Sequence, residues 1–188
     1  MNLQGKTVLF LGSSVTFGSA SGGVSFVELL AEPCGYRYIK EAVSGTTLVD
    51  TGENSYVARL RAIDPCTKVD LFVCQLSTND ATRGLPLADI EGAIRTVAEY
   101  VQATFGCPIA FYTGTYYAKP HYEKMVELLL RLKDEYGFAV LDLYHDAEMR
   151  AVSEADYARY MRDPIHPTLL GYTEWWTPKF KEFFAALP

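Results

Sequence analysis

A serine that could act as a nucleophile lies near the amino end of the chain. Ser14 stands in the segment Leu-Gly-Ser-Ser-Val-Thr-Phe-Gly, residues 11–18, directly after an apolar run. A serine at a sharp strand-to-helix turn exposes its hydroxyl beside backbone N–H groups, which suits attack on a carbonyl carbon. The same residue types are also typical of a helix cap or of a phosphate-binding loop. Taken alone, the segment favours a helix cap.

A histidine that could activate such a serine lies near the other end. Asp163 and His166 are three residues apart, and each directly precedes a proline, which predicts a rigid extended turn. The carboxylate could then fix the tautomer of the imidazole and stabilise its protonated form. An isolated Asp-x-x-His is more often a solvated loop, so this pair needs support from the rest of the chain.

The other two histidines are weaker candidates. Asp142 and His145 have the same spacing, directly after the fifth predicted strand. In a 2-1-3-4-5 sheet that strand lies three positions from the first, roughly 14 Å at about 4.8 Å per strand. His145 would therefore struggle to reach Ser14. His121 is interpreted as the start of a surface helix. The wide spacing of the three histidines predicts no metal site.

Two further turns carry groups that could stabilise negative charge. Gly45 lies in Ser-Gly-Thr after the second predicted strand, where a glycine allows a backbone N–H to approach a ligand closely. Asn79 lies in Ser-Thr-Asn-Asp after the third, and its amide can donate to a developing oxyanion. Each of these segments, considered singly, is more often an ordinary turn.

Short apolar runs alternate with helical patterns along the chain. The predicted strands are Thr7–Leu11, Tyr36–Lys40, Val69–Gln75, Pro108–Tyr112 and Phe138–Leu141. The predicted helices are Phe26–Ala31, Tyr56–Ile63, Asp89–Thr104, Tyr122–Tyr136 and Leu169–Phe184. Strands that are apolar on both faces are typical of a parallel sheet covered by helices on both sides. We therefore predict a three-layer α/β/α fold, in which the polar turns meet at the carboxyl edge of the sheet.

Composition narrows the class of protein. The 188 residues predict one domain, residues 1–188. The net charge of −6, with no basic run, argues against a nucleic-acid or anionic-membrane partner. No apolar run is long enough for a membrane span or a signal peptide, which favours a cytoplasmic protein. The cysteines show no metal-ligand spacing and are interpreted as reduced, packed thiols; they are Cys34, Cys66, Cys74 and Cys107.

Together these blocks resemble the SGNH (GDSL-type) hydrolases, in the order in which that family has them. The likeness runs from residue 8 to about residue 172. The matching residues are Gly12-Ser13-Ser14 with Thr16 and Gly18, then Gly45, then Ser77-Thr78-Asn79-Asp80, then Asp163 with His166-Pro167, and finally Gly171-Tyr172. The first and last blocks are fairly specific, whereas the middle two are weak alone.

The resemblance implies a flavodoxin-like fold with a five-stranded parallel sheet of order 2-1-3-4-5, and ester hydrolysis without a cofactor. Carried over by position, Ser14 is the nucleophile, His166 the general base and Asp163 the residue that orients it. The oxyanion donors would be the backbone N–H groups of Ser14 and Gly45 and the side chain of Asn79.

Two positions depart from the family pattern. The family usually has aspartate where this chain has Ser13, and glycine where it has Ser77. Ser13 could therefore itself be the nucleophile, although the spacing of Thr16 and Gly18 favours Ser14. Ser77 could tighten the third turn and shift Asn79, the predicted oxyanion donor.

The predicted function is hydrolysis of small acyl esters, such as acetyl esters of carbohydrates, because no insertion is long enough to form a lipase lid. Phe17, Tyr116 and Tyr117 could stack on a sugar ring or belong to the core. Trp175-Trp176 is interpreted as core. The alternative is a non-catalytic or nucleotide/FMN-binding flavodoxin-like domain, and the Asp163–His166 pair argues against it. The sequence predicts no oligomeric state.

Overall fold

A parallel β-sheet forms the middle layer of the protein. The computed structural model describes residues 1–188 and contains five strands in the order β2-β1-β3-β4-β5, with every neighbouring pair parallel. The strands are β1 (Thr7–Gly12), β2 (Arg37–Ala42), β3 (Leu71–Gln75), β4 (Ile109–Tyr112) and β5 (Ala139–Leu141). The predicted α/β fold and its strand order are confirmed.

Helices cover both faces of the sheet and connect its strands. They are α1 (Ser14–Phe17), α2 (Phe26–Cys34), α3 (Tyr56–Ala62), α4 (Thr78–Arg83), α5 (Leu87–Thr104), α6 (Pro120–Tyr136), α7 (Ala147–Arg150), α8 (Glu154–Tyr160), α9 (Leu169–Gly171) and α10 (Thr177–Ala186). A π-helical turn, Tyr172–Trp176, joins α9 to α10, so that the last predicted helix contains a local change of winding. No helix is long and apolar enough to cross a bilayer.

Two hydrophobic clusters lie on opposite faces of the sheet. Leu9 and Leu11 of β1 face a cluster that includes α3, α5 and α6, while Phe10 faces a second cluster that includes α2 and α10. In the second cluster Phe26 and Phe180 stack with ring centroids 3.7 Å apart. Each buried side chain of this size contributes about 1.5–3 kcal/mol relative to exposure. A strand with both faces covered explains the uninterrupted apolar run in β1.

Capping residues and the spacing of apolar residues account for the helices α2 and α5. In α2 the hydroxyl of Ser25 accepts from the N–H of Val27, and Glu28 accepts from the N–H of Ser25, which forms a capping box. In α5 the buried residues recur with the helical period that the sequence predicted; they are Ile90, Ala93, Ile94, Val97, Ala98 and Val101. These packed elements form a rigid base beneath the loops at the carboxyl edge of the sheet.

Some side chains lie elsewhere than the sequence suggested. Cys66 is exposed, because it lies in the loop after α3 rather than in an apolar element, so the interpretation of a packed thiol is wrong there. All four cysteines are free thiols. Trp176 is fully buried, and the half-buried Trp175 stacks on Tyr160.

Candidate active site

Ser14 follows β1 in a tight turn that has no room for a side chain at residue 12. A Cβ at this position would lie 1.7 Å from the hydroxyl of Thr16. The turn therefore depends on glycine at residue 12. Ser14 is the first residue of α1, so its N–H has no partner within the helix. The turn therefore presents the Ser14 hydroxyl and an unpaired N–H at the carboxyl edge of the sheet.

Gln75, at the end of β3, fixes this turn from beneath. Its side-chain oxygen accepts from the N–H of Ser13 at 3.0 Å and from the hydroxyl of Thr16 at 2.8 Å. The Thr16 hydroxyl also lies 2.6 Å from that of Tyr112. Gln75 was not among the residues predicted from the sequence, although a polar residue at the end of an apolar strand was an available signal.

Ser13 and Ser14 face different surroundings. Ser13 is fully buried, and its hydroxyl lies 3.5 Å from the Gln75 oxygen, inside the protein. The Ser14 hydroxyl lies 2.8 Å from Nε2 of His166. Of the two serines that the sequence left open, the structure brings Ser14 to the imidazole and leaves Ser13 in the interior.

His166 also contacts Asp163. Its Nδ1 lies 2.9 Å from Oδ1 and 2.8 Å from Oδ2 of Asp163. Oδ1 also accepts from the backbone N–H groups of Ile165 and His166, at 2.8 and 2.9 Å. Burial works to raise the pKa of Asp163, but the hydrogen bonds from Ile165 and His166 outweigh it and hold this pKa below its usual value. The carboxylate therefore stays ionised when the imidazole is neutral.

The segment that carries this pair is anchored at both of its ends. Met161 and Pro167 form an antiparallel bridge, and the N–H of Arg162 donates to the carbonyl of His166 at 2.9 Å. A Cβ on Gly171 would lie 2.1 Å from the carbonyl oxygen of Tyr160, so the end of α9 packs directly on the end of α8. The loop thus reaches back to Ser14, which is 152 residues away in the sequence.

The other two histidines lie away from Ser14. Nδ1 of His145 is 2.7 Å from Asp142, and the exposed imidazole has no hydrogen bond to Ser14. His121 lies at the start of α6 with Nε2 2.7 Å from the carbonyl of Leu85. Both arrangements agree with the sequence-based preference for His166.

The turns after β2 and β3 carry two further groups at the same edge of the sheet as Ser14, because these strands flank β1. Gly45 has a φ of +80° and lies exposed, and its N–H makes no hydrogen bond within the protein. The amide of Asn79 donates to the carbonyl of Thr46 at 2.8 Å. An asparagine amide has two N–H groups, so one is left for a ligand. These are the positions at which the sequence placed the oxyanion donors.

Ser77 links the same two turns. Its hydroxyl caps α4 by accepting from the N–H of Asn79 at 3.2 Å, and it lies 3.4 Å from the carbonyl of Thr46. The serine that departs from the family pattern thus contacts the loop that carries Gly45. Ser77 and Asn79 share the same carbonyl partner.

Two cavities lie among the loops that follow the strands, and neither has Ser14 or His166 in its wall. The polar cavity, about 300 Å³, has no apolar residue in its wall, which includes Gly45, Thr46, Thr51, Glu53 and Arg83. The aromatic cavity, about 370 Å³, is bordered by the loops after β4 and β5 and includes Thr115, Tyr116, Arg150, Tyr157 and Trp175. Both volumes are within the range of small-molecule sites.

The three aromatic residues that the sequence suggested for ring stacking have different surroundings. Tyr116 is 47% exposed and lines the aromatic cavity, with the guanidinium of Arg150 4.6 Å from its ring. Phe17 is 42% exposed, beside Lys40. Tyr117 is buried against Tyr122, so for Tyr117 the core interpretation holds.

The α/β fold, with its five-stranded parallel sheet of order 2-1-3-4-5, matches that of the SGNH hydrolases. The model of the GDSL-like lipase/acylhydrolase family matches residues 10–173. The chain belongs to this family and is a carboxylic ester hydrolase. Membership favours catalysis over the nucleotide- or FMN-binding alternative.

Several solved structures share the whole fold at low sequence identity. A protein from Lactobacillus plantarum is 22% identical, with a TM-score of 0.81 and coverage of 97% of this chain and 98% of its own. A member of the lipolytic protein G-D-S-L family from Veillonella parvula DSM 2008 is 16% identical, with a TM-score of 0.76 and coverage of 96% of this chain and 99% of its own. The acetyl xylan esterase AlAXEase is 15% identical, with a TM-score of 0.77 and coverage of 96% of this chain and 100% of its own. The comparison with curated proteins found no match.

Proposed function

We propose that the protein hydrolyses small acyl esters through an acyl-enzyme on Ser14, with His166 as general base and Asp163 as its orienting carboxylate. The observation that carries this proposal is the continuous chain from the Ser14 hydroxyl to Nε2 of His166, at 2.8 Å, and from Nδ1 to Asp163, at 2.8 Å. We also propose that residues 1–188 form a single SGNH hydrolase-like domain, since both hydrophobic clusters pack on one sheet.

The reaction follows from these contacts. His166 takes the proton of the Ser14 hydroxyl while the oxygen attacks the ester carbonyl. The tetrahedral intermediate collapses as the alcohol leaves with the proton from His166, and the acyl group stays on Ser14. His166 then takes a proton from water, the hydroxide attacks the acyl carbon, and Ser14 recovers its proton as the acid departs. Asp163 stabilises the imidazolium in both halves.

The developing oxyanion would be stabilised by three donors. These are the N–H of Ser14 at the start of α1, the unpaired N–H of Gly45, and the free N–H of the Asn79 amide. Donors that are already oriented need no rearrangement when charge develops on the substrate oxygen.

Replacing Asn79 with alanine tests the third donor. We expect kcat to fall by about 10²–10³-fold, which is the usual cost of one oxyanion donor, with little change in KM. The measurement is steady-state turnover of p-nitrophenyl acetate. Asn2→Ala is the matched control because Asn2 lies in the exposed amino-terminal turn, and it should keep wild-type kcat. Equal kcat in wild type and Asn79→Ala would exclude this role.

We propose short acyl groups on a hydroxylated alcohol, such as acetylated carbohydrates, as the substrate class. The polar cavity beside Gly45 supports a hydroxylated partner, and an acyl chain extending there would gain no apolar burial. The structural neighbour AlAXEase is an acetyl xylan esterase by name.

A series of p-nitrophenyl esters and acetylated sugars tests this substrate class. We expect kcat/KM to be highest for acetate and to decrease with each longer chain, and acetylated xylose to be hydrolysed at the acetyl groups. Release of acetate, measured enzymatically, gives the rate for the sugar. A maximum at octanoate or longer would contradict the proposal, and the aromatic cavity would then be the acyl site.

A further inference from the structure

Arg59, on α3, is a buried cation with little acidic compensation. Its side chain is 8% exposed, and the carboxylate nearest to it, that of the partly exposed Glu41, is 3.9 Å away. Burying a guanidinium is costly unless its donors are satisfied, and a hydrophobic side chain is often the more stable choice. A residue of this kind at the carboxyl edge of the sheet therefore needs an explanation besides stability.

The donors of Arg59 are satisfied by backbone and hydroxyl oxygens from three segments. Nη2 donates to the carbonyl of Gly12 at 2.7 Å and to the hydroxyl of Thr46 at 3.3 Å. Nη1 donates to the carbonyl of Glu41 at 2.6 Å, and Nε to the carbonyl of Asn54 at 3.0 Å. The guanidinium also lies 5.3 Å from the ring centre of Tyr56. One planar group thus joins the ends of β1 and β2 to the loop between β2 and α3.

Nη2 joins the end of β1 to the loop after β2, and each of these segments carries a group that the proposed reaction uses. Gly12 lies two residues before Ser14, and Thr46 directly follows Gly45. The planar fork of arginine fixes the directions of its hydrogen bonds, which a flexible ammonium cannot do. Movement of the Arg59 side chain would change the distance between the nucleophile and the N–H of Gly45.

We propose that Arg59 is a positioning residue that holds the Gly45 N–H in place relative to the Ser14 hydroxyl. This inference rests on the proposed function. It requires no contact between Arg59 and the substrate, since the side chain acts through the carbonyl of Gly12 and the hydroxyl of Thr46. A displacement of about 1 Å at a reacting group is enough to lower a rate about 10²-fold.

The chain offers a matched control on the same helix. Arg61 lies two residues further along α3 with a side chain 54% exposed, and it pairs with Asp50 at 3.7 Å. An exposed pair of this kind contributes little to stability. Arg61→Ala removes a guanidinium without touching Gly12 or Thr46, and it should leave kcat unchanged.

The test compares Arg59→Ala, Arg59→Lys and Thr46→Val with wild type on p-nitrophenyl acetate. We expect Arg59→Ala to lower kcat about 10²-fold, with KM unchanged. The kcat is expressed per folded molecule, and the folded fraction is measured by circular dichroism. Arg59→Lys should recover part of kcat. Thr46→Val removes the acceptor for Nη2 and also the hydrogen bond that the Thr46 hydroxyl donates to the carbonyl of Val43 at 2.7 Å. It should give a smaller loss, and it keeps the proposal testable if Arg59→Ala does not fold.

Chemical rescue separates positioning from a purely structural role. Guanidinium chloride at concentrations well below denaturation should raise the kcat of Arg59→Ala, while equal concentrations of sodium chloride should not. Wild-type kcat per folded molecule in Arg59→Lys and Thr46→Val, or equal rescue by sodium chloride, would overturn the role of Arg59. Failure of the proposed function is distinguishable, because Ser14→Ala would then retain the turnover of wild type.

Discussion

Ser14→Ala is expected to remove nearly all turnover of p-nitrophenyl acetate. Loss of the nucleophile from a serine-histidine pair typically lowers kcat by about 10⁶-fold, and the residual rate reflects substrate binding and oxyanion stabilisation. In this protein the Ser14 hydroxyl lies 2.8 Å from His166, so the substitution removes both the attacking oxygen and the partner of the imidazole. The fold should remain, since alanine fits the same turn.

Ser13→Ala is the matched control for this experiment. Ser13 is fully buried, and its hydroxyl is 3.5 Å from Gln75, so its loss removes a weak contact and no reacting group. We expect Ser13→Ala to keep most of the wild-type kcat. If instead Ser13→Ala were inactive and Ser14→Ala active, the nucleophile would be the other serine of the pair.

His166→Ala should lower kcat by about the same factor as Ser14→Ala. Residues of a catalytic unit act together, so that the loss of the base alone costs nearly as much as the loss of the whole unit. Without the imidazole, the Ser14 hydroxyl has no group to receive its proton, and the leaving alcohol has no proton donor. The Ser14→Ala/His166→Ala double variant should therefore be no slower than either single variant.

His145→Ala is the control that shares the Asp-x-x-His spacing. His145 pairs with Asp142 at 2.7 Å on the exposed loop after β5 and has no hydrogen bond to Ser14. Its replacement should leave kcat and KM for p-nitrophenyl acetate as in wild type. A large loss of kcat in His145→Ala, together with wild-type kcat in His166→Ala, would show that His145 is the general base.

The sheet was predictable because its strands are short, apolar runs between turn residues. The structure moves one or both limits of each predicted strand by one or two residues, as in Val69–Gln75, where the strand begins at Leu71. Pairing order followed from the resemblance to a known family, since an apolar run does not itself specify its neighbour. The long helix α5 was recovered because its apolar residues recur over several turns.

The short helices were missed for a physical reason. Each of these helices spans at most two turns, which is too short for a helical period to show in the sequence; they are α1, α4, α7, α8 and α9. Their positions depend on capping and on contacts between distant segments. The π-helical turn at Tyr172–Trp176 likewise has no signal in the pattern of apolar residues.

Residues with reactive side chains were easier to find from the sequence than the residues that hold them in position. Ser14, Asp163 and His166 belong to types and spacings with a known chemistry, whereas Gln75 and Arg59 act through contacts with segments far along the chain. A glutamine at the end of a strand and an arginine on a short helix have no spacing that reveals such partners. Their surroundings become evident when the sheet brings those segments together.

Trapping the nucleophile with a fluorophosphonate, followed by peptide mass spectrometry, tests the central claim most directly. The fluoride leaves as the serine oxygen bonds to phosphorus, so the attached group marks the residue that attacks. We expect modification at Ser14 in wild type, and strongly slowed labelling in His166→Ala. Labelling at Ser13, or equal rates in wild type and His166→Ala, would contradict the account.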